Sequence, residues 1–592
     1  MNRSLRTANL VVALLVSSCG VQIVRLGIPS SRASTFTALS DLPRPRFSLA
    51  LATVLAATAA QAQPPPDFGV PAVAADGYER QPALDVLHYE IAIELPAEGA
   101  QVEGRTAVLF QAVAEDLTMI ALDLGSAMVV DSVTVDGRPT EFAREGDRLT
   151  LEVPIAAGAR AEAVVWYHGV PADGLIVGLD RHGGRAAFAD NWADRGRNWF
   201  PSVDHPSDKA TVEFDVVAPA ELEVIANGVL VERADLSDGR ARTRWVESTE
   251  IPVYGMVIGV ADFAVERAGE VDGVEVTHWT FAEDSAAGAI AFSRSTEILA
   301  FYDSLFGPYP YEKLAHVQSA TRFGGMENPG AIFYGQSQIG GATAADEEGR
   351  EGLTSLVAHE TVHQWFGDAV TEADWNHLWL SEGFAEYFDA VFFEFHGGMH
   401  GSGPAELARQ MRTRAAAVRE LESAAPLAIY QPDVGPGEYA ELLDAESYEK
   451  GAWVLHMLRR LIGEEAFFEG VRDYYATLRG GTAWTSDFAR IMEEAAGRPL
   501  AWFFAQWVVR PGMPVLSASV TEGSGGRILR IEQHQAGEPY RLAVEVELRA
   551  GGRSERRTVE MDGTTAEIPL DLEGPVEVIL DPGGWLLFDS GV

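Results

Sequence analysis

Residues 357–368 read VAHETVHQWFGD, placing two of the chain's thirteen histidines four positions apart with a glutamate directly after the first. On a helix this spacing brings the imidazoles of His359 and His363 out on one face, where both can hold one metal ion. Glu360 is turned by about 100° around the helix axis, too far to share that face as a ligand. It stands well to take a proton from water beside the metal. A catalytic zinc needs a third protein ligand and an open position. The extended motif with a third histidine requires glycine at 366 and histidine at 369, where this chain has Phe366 and Ala369. Glu382 lies in LWLSEGFAEYF, eighteen residues separating it from His363, and opens a second amphipathic stretch. The intervening segment is long enough to turn that stretch back across the first. The spacing therefore points to one Zn2+ per chain held by His359, His363 and Glu382. Taken singly, each part has a plainer alternative: an amphipathic helix with two histidines, and a solvated carboxylate at a helix start.

At 592 residues the chain exceeds a single hydrophobic core and divides into three or four domains. Its 47% apolar content marks a folded globular protein, and its net charge of −42 repels phosphates and excludes nucleic acid as a partner. The one cysteine, Cys19, rules out intramolecular disulfides and cysteine-held zinc. Residues 1–62 read as an export leader. Arg3 and Arg6 precede the run NLVVALLV, and VSSC ending at Cys19 resembles a lipoprotein box that would give a lipid anchor. A second leader spans about 42–62, with SLALATVLAATA followed by Ala60-Gln61-Ala62, a small-x-small cleavage site. The expected location is outside the cytoplasm: periplasmic, anchored to the outer membrane or secreted by a bacterium. Neither apolar run is long enough to span a membrane.

Residues 63–80, beginning QPPPDFGVP, read as a proline-rich linker. From there the pattern alternates, as in HYEIAIEL (88–95), LTLEVP (149–154), ATVEFDVVAP (210–219) and LEVIANGVLVE (222–232), which predicts an all-β domain over 81–265. Helical spacing then takes over in 284–307, 352–367, 377–396, 404–422, 448–478 and 484–508, predicting a mostly helical domain over 266–512. Short strands return in 513–592 and predict a small β-sandwich. Trp365, Phe366, Trp375 and Trp379 read as core between the two metal helices, and His377 and His396 as non-ligands. Glu386 has two readings, a residue that orients a metal-held histidine or part of a solvated helix face, and the second is the expectation. Lys450 is one of only three lysines.

GGMEN (324–328), HETVH (359–363), WLSEGFAEYF (379–388) and YEKG (448–451), in that order, resemble the aminopeptidase N family of zinc metallopeptidases. DVLHYEIAIEL (85–95) and FPSVDHPSDKATVEF (200–214) resemble that family's N-terminal β domain, and LAWFFAQWVVRPGMPVL (500–516) the end of its catalytic domain. The resemblance implies a multidomain α+β fold with a thermolysin-like catalytic domain, in a short form lacking the family's helical C-terminal domain. It implies a zinc aminopeptidase acting on peptides with a free N-terminus, with Glu360 as general base and Tyr448 as donor to the oxyanion. Glu327 would bind the α-ammonium. Gly324 and Gly325, lacking Cβ atoms, would let an extended peptide lie close; Met326 would line the first side-chain pocket, and Asn328 would orient Glu327. The loop FADNWADRGRNWFPSVD departs from the family: it offers Asp190, Asn191 and Trp192 where a glutamine or glutamate often helps bind the amine. Two other readings stand beside this one, a thermolysin-type endopeptidase and a catalytically inactive peptide-binding protein.

Overall fold

The alternation in HYEIAIEL becomes strand Leu84–Glu94, whose Tyr89, Ile91 and Ile93 are buried. It pairs in parallel with strand Lys209–Pro219, setting those residues beside the buried Val212, Phe214 and Val216. The computed structural model describes residues 68–590 apart from 114, 340–345, 425, 524 and 525. The leader and positions 63–67 lie outside the described residues.

Strands Leu84–Glu94 and Lys209–Pro219 are central in an eight-stranded sheet that runs from Val229–Asp235 at one edge to Arg138–Pro139 at the other. A four-stranded and a three-stranded sheet complete the N-terminal β domain. The stretch expected as one strand at 222–232 is two, Glu223–Ala226 and Val229–Asp235, in different sheets. The break falls at Asn227-Gly228. Gly228 has φ +71°, and a Cβ on it would lie 1.9 Å from the carbonyl oxygen of Val246.

The expected boundary at 265/266 moves upstream. Strand Phe263–Val271 pairs with Val274–Phe281, and both join Lys313–Ser319, Ala331–Gly335 and Gly325–Met326 in the five-stranded sheet of the catalytic domain. The central strands KLAHVQS and AIFYG are buried at every position. They carry no alternation for a sequence pattern to detect.

Around this sheet pack the helices, among them Ser295–Phe306, Glu347–His363, Trp379–His396 and Pro404–Ala424. The helix expected over 448–478 is broken at Gly463 (φ +89°) into Gly451–Ile462 and Glu464–Leu478. That over 484–508 ends as a regular helix at Ala496, before Gly497 in the left-handed region. Two sheets, of four and three strands, form the C-terminal β-sandwich and bury Leu529, Ile531, Val544, Val546 and Val559 between them.

The expected linker is not a spacer over its described part. Phe68 and Val70 are buried, and the Phe68 ring packs 5.6 Å from Phe504 of the catalytic domain. The Ala75 amide donates to Asp374 (3.0 Å), and Asp76, wholly buried, accepts from Arg80 (2.8 Å) and faces His205 (2.6 Å). Apolar anchors alternating with polar groups that find partners turn residues 68–80 into a strap across both domains.

Candidate active site

The helix Glu347–His363 begins with the Asp346 carboxylate accepting from the Gly349 amide (2.8 Å), and Glu347 and Glu348 stand in its first turn, where the helix dipole favours negative charge. Its last turn carries His359 and His363. The chain then reverses at Gly367 (φ +121°), where a Cβ would lie 2.4 Å from the Ser381 hydroxyl. That reversal brings helix Trp379–His396 across the first, with Glu382 in its opening turn.

The Nε2 atoms of His359 and His363 are 3.2 Å apart, and Glu382 Oε2 is 3.3 Å from the first and 3.2 Å from the second. Three donors bound tetrahedrally at about 2.0–2.1 Å from zinc stand about 3.3 Å from one another, so this triangle fits the ion. Glu382 Oε2 is also buried without a hydrogen bond, as an atom reserved for a metal would be. A second set of donors, from Glu327, Glu360 and His363, lies within 4.8 Å. The first set has the two-imidazole, one-carboxylate composition of hydrolytic zinc sites.

Both histidines are fixed from behind. Nδ1 of His363 faces the Phe366 carbonyl (3.2 Å) and the Ser381 hydroxyl (2.9 Å). Nδ1 of His359 faces Glu386 (3.4 Å), which pairs with the buried Arg414 (2.7 Å) from helix Pro404–Ala424. Arg414 also meets Asp389 (2.6 Å), to which Ser355 donates (2.7 Å). Such partners keep the metal-facing nitrogen unprotonated and the ring in place. Glu386 is therefore not the solvated residue expected: Arg414 and His359 outweigh its burial and hold its carboxyl down at about 2.

The three candidate ligands open into a cavity of about 390 Å³. Gly324, Gly325, Met326, Glu327, Glu360 and Tyr448 line it with the three ligands, and Trp192, Phe323, Leu356 and Leu443 add apolar wall. Asn328 is absent from the lining: it is wholly buried, and its amide points back to the Met326 carbonyl (3.4 Å) rather than to the Glu327 side chain. Gly325 also differs from expectation. The space a Cβ would fill there is held by the Glu360 carboxylate, 2.1 Å from the ideal Cβ position. Burial pushes the Glu360 carboxyl up to about 7, against the pull of His359 and His363. Burial also raises Glu327 above the usual carboxylate range, with Glu382 adding to the rise.

Tyr448 sits in a π-helical turn, Glu446–Lys450, rather than in the opening of the helix proper. Its ring lies parallel to the His359 imidazole at 6.2 Å. Lys450, wholly buried, ties the turn down through Glu446 (2.6 Å) and Glu422 (2.7 Å). Of the loop 190–192, only Trp192 reaches the cavity. Asp190 accepts from Thr321 (3.1 Å) and pairs with Arg195 (3.3 Å), and Asn191 accepts from Trp199 (2.8 Å). His377 and His396 stand away from the ligands, on Thr485 and Glu297 respectively.

Paired imidazoles and a carboxylate from two crossing helices, beneath a sheet edge that offers a second carboxylate, define a thermolysin-like metallopeptidase architecture. The chain belongs to peptidase family M1: the family's N-terminal domain matches residues 86–254 and its peptidase domain residues 290–507. Probable aminopeptidase 1 of Saccharolobus solfataricus is 27% identical over 525 residues, covering 85% of this chain and 63% of the relative. Glutamyl aminopeptidase of Rattus norvegicus is 28% identical over 340 residues, 56% of this chain and 35% of that one. The chain thus spans less than two thirds of the length of these relatives. The M1 zinc metallopeptidase of Deinococcus radiodurans shares the fold, with a TM-score of 0.62 at 24% identity over 73% of this chain and 95% of that one.

Proposed function

We propose that the chain is a zinc-dependent aminopeptidase that removes N-terminal residues from peptides. The observation that carries this reading is the position of Glu327, whose carboxylate lies within 4.8 Å of donor atoms of Glu360 and His363 in the cavity wall. A buried carboxylate so close to the ligands gains most from a cation, and the α-ammonium of a peptide brings one to within a residue of the bond to be cut. His359, His363 and Glu382 would hold one zinc ion, which supplies a Lewis acid and allows water to ionise near neutral pH. Glu360 takes the proton of the attacking water at its carboxylate and delivers it to the leaving amine. The Tyr448 hydroxyl donates to the oxyanion that develops on the carbonyl, an interaction worth about 3–4 kcal/mol in comparable sites. Gly324, Gly325 and Met326 border the first residue of the peptide.

The leader supports export, and N-terminal sequencing of secreted protein tests it. The activity is tested with aminoacyl reporters in free and N-acetylated form, with and without a chelator. We expect hydrolysis of the free form alone, abolished by the chelator and restored by zinc. Equal cleavage of both forms would replace this reading with the endopeptidase one, and no hydrolysis by the zinc-loaded protein would leave only peptide binding.

A further inference from the structure

The loop that carries Glu327 is held by the N-terminal β domain as well as by the catalytic domain. After GGMEN the chain turns through Pro329 and Gly330 (φ +69°). Buried side chains grip each carbonyl of that turn. Asn227 Nδ2 donates to Pro329 O (2.8 Å) and to Gly255 O (2.8 Å), while its Oδ1 accepts from the Val257 amide (2.7 Å), which fixes the orientation of the side chain. Lys313 Nζ donates to Gly330 O (2.9 Å) and to Ala226 O of the N-terminal domain (2.8 Å). Gln364, next to His363, donates to the Glu327 carbonyl and accepts from the Gly330 amide (2.8 Å). Gly255 completes the seat, since a Cβ on it would lie 2.5 Å from the Pro329 ring.

The residue type at 313 carries information of its own. Only three of the chain's 45 cationic residues are lysines. A compact ammonium on a flexible stem can serve two backbone carbonyls across a domain seam, beside the Trp245 ring at 5.2 Å, where a planar guanidinium is broader than the gap requires. Asn227 explains why the strand expected over 222–232 breaks where it does: its side chain must leave the sheet to reach Pro329. Neither Lys313 nor Asn227 lines the cavity.

We propose that Lys313 and Asn227 are positioning residues for amine recognition: acting from the seam with the N-terminal domain, they fix the Pro329–Gly330 turn and thereby the reach of Glu327 to the substrate's α-ammonium. This rests on the aminopeptidase reading. A misplacement of about 1 Å caused from outside the site can cost up to ~100-fold, so the effect is measurable without touching the site.

The test uses zinc-loaded full-length protein with Lys313→Met and, as an independent change from the N-terminal domain's side of the seam, Asn227→Ala. The kcat and KM are measured for one reporter in free and N-acetylated form, together with bound zinc. We expect the preference for the free amine to fall by about 10-fold or more, carried mainly by KM, with zinc content unchanged. A purely structural role would lower active protein, and with it kcat, while leaving KM and the preference alone. If Lys313→Met does not fold, Asn227→Ala decides. Variants that keep the wild-type preference and KM overturn the proposal. A wild-type protein without any preference overturns the aminopeptidase reading instead, so the two failures are distinguishable.

Discussion

Gly383 follows the third candidate ligand, Glu382, and Gly451 follows the turn that carries Tyr448; the two meet backbone to backbone where their helices cross. A Cβ on Gly383 would lie 2.9 Å from the Cα and carbonyl carbon of Gly451, and one on Gly451 would lie 2.9 Å from the Cα of Gly383. Carbon atoms in ordinary contact stand about 3.5–4.0 Å apart, so Gly383→Ala must open the crossing by roughly 0.6–1 Å. Overpacking of this kind costs about 1–3 kcal/mol, more than the ~1 kcal/mol that alanine gains over glycine in a helix interior. The displacement separates Glu382 from Tyr448, and a shift of about 1 Å between catalytic groups costs up to ~100-fold in rate. We therefore expect kcat/KM to fall by one to two orders of magnitude, with a lower Tm and with zinc still bound. Reporter kinetics, metal analysis and thermal melts on the same preparation provide the check. An unconstrained helix position would respond in the opposite direction. A Gly383→Ala protein that melts higher than wild type and turns over normally would refute the reasoning.

Glu360→Gln should keep zinc and lose about 10²–10⁴-fold in kcat, the range for a general base; retention of near-normal kcat would remove Glu360 from that role. Arg414→Met leaves Glu386 without its cation and loosens His359, so zinc affinity, read by competition with a chromogenic chelator, should weaken about 10–100-fold. Stability should depend on buried neutral histidines remote from the ligands. Burial pushes His377 and His456 down to about 3, so between about 6.5 and 3 the unfolded chain binds protons that the folded one does not. Their contribution is complete above pH ~6.5 and is lost on acidification at up to about 1.4 kcal/mol per pH unit for each histidine. Denaturant melts from pH 7 to 4 on a His456→Phe variant should show a shallower loss than wild type, and equal slopes would contradict this.

The candidate metal site was legible because it is local: His359 and His363 lie about one turn apart on one helix, and one reversal returns Glu382 to them. The alternating strands of the first and last domains were legible for the same reason, since half-buried sheets write their period into the chain. What escaped was non-local or uniformly buried. KLAHVQS mixes polar and apolar residues with no period of two and is buried throughout, so its polar residues hide a central strand from any pattern. The fate of Glu386 depended on Arg414, twenty-eight positions away on another helix. The strap at 68–80 escaped because the proline run that suggested a linker lies before it, while its anchors, Phe68, Val70 and Asp76, find their partners far along the chain. Asn328 sits among the GGMEN residues yet is wholly buried away from the cavity, its amide turned to the Met326 carbonyl, a local contact that the motif alone does not reveal.

All three lysines of this chain act as internal fasteners. Nζ of Lys209 is bonded to the carbonyls of Asp368 (2.9 Å) and Ala369 (3.1 Å), Lys313 to the seam, and Lys450 to its two glutamates. Burial pushes the first two amines down, to about 7 and about 8, which would make them strong nucleophiles if a reagent could reach them. Arginine supplies the other 42 of the 45 lysine and arginine side chains. Lys313 is buried where Lys209 is only half-buried, so the rate at which an acylating dye modifies Lys313 becomes an intrinsic clock for how often the seam between the two large domains opens.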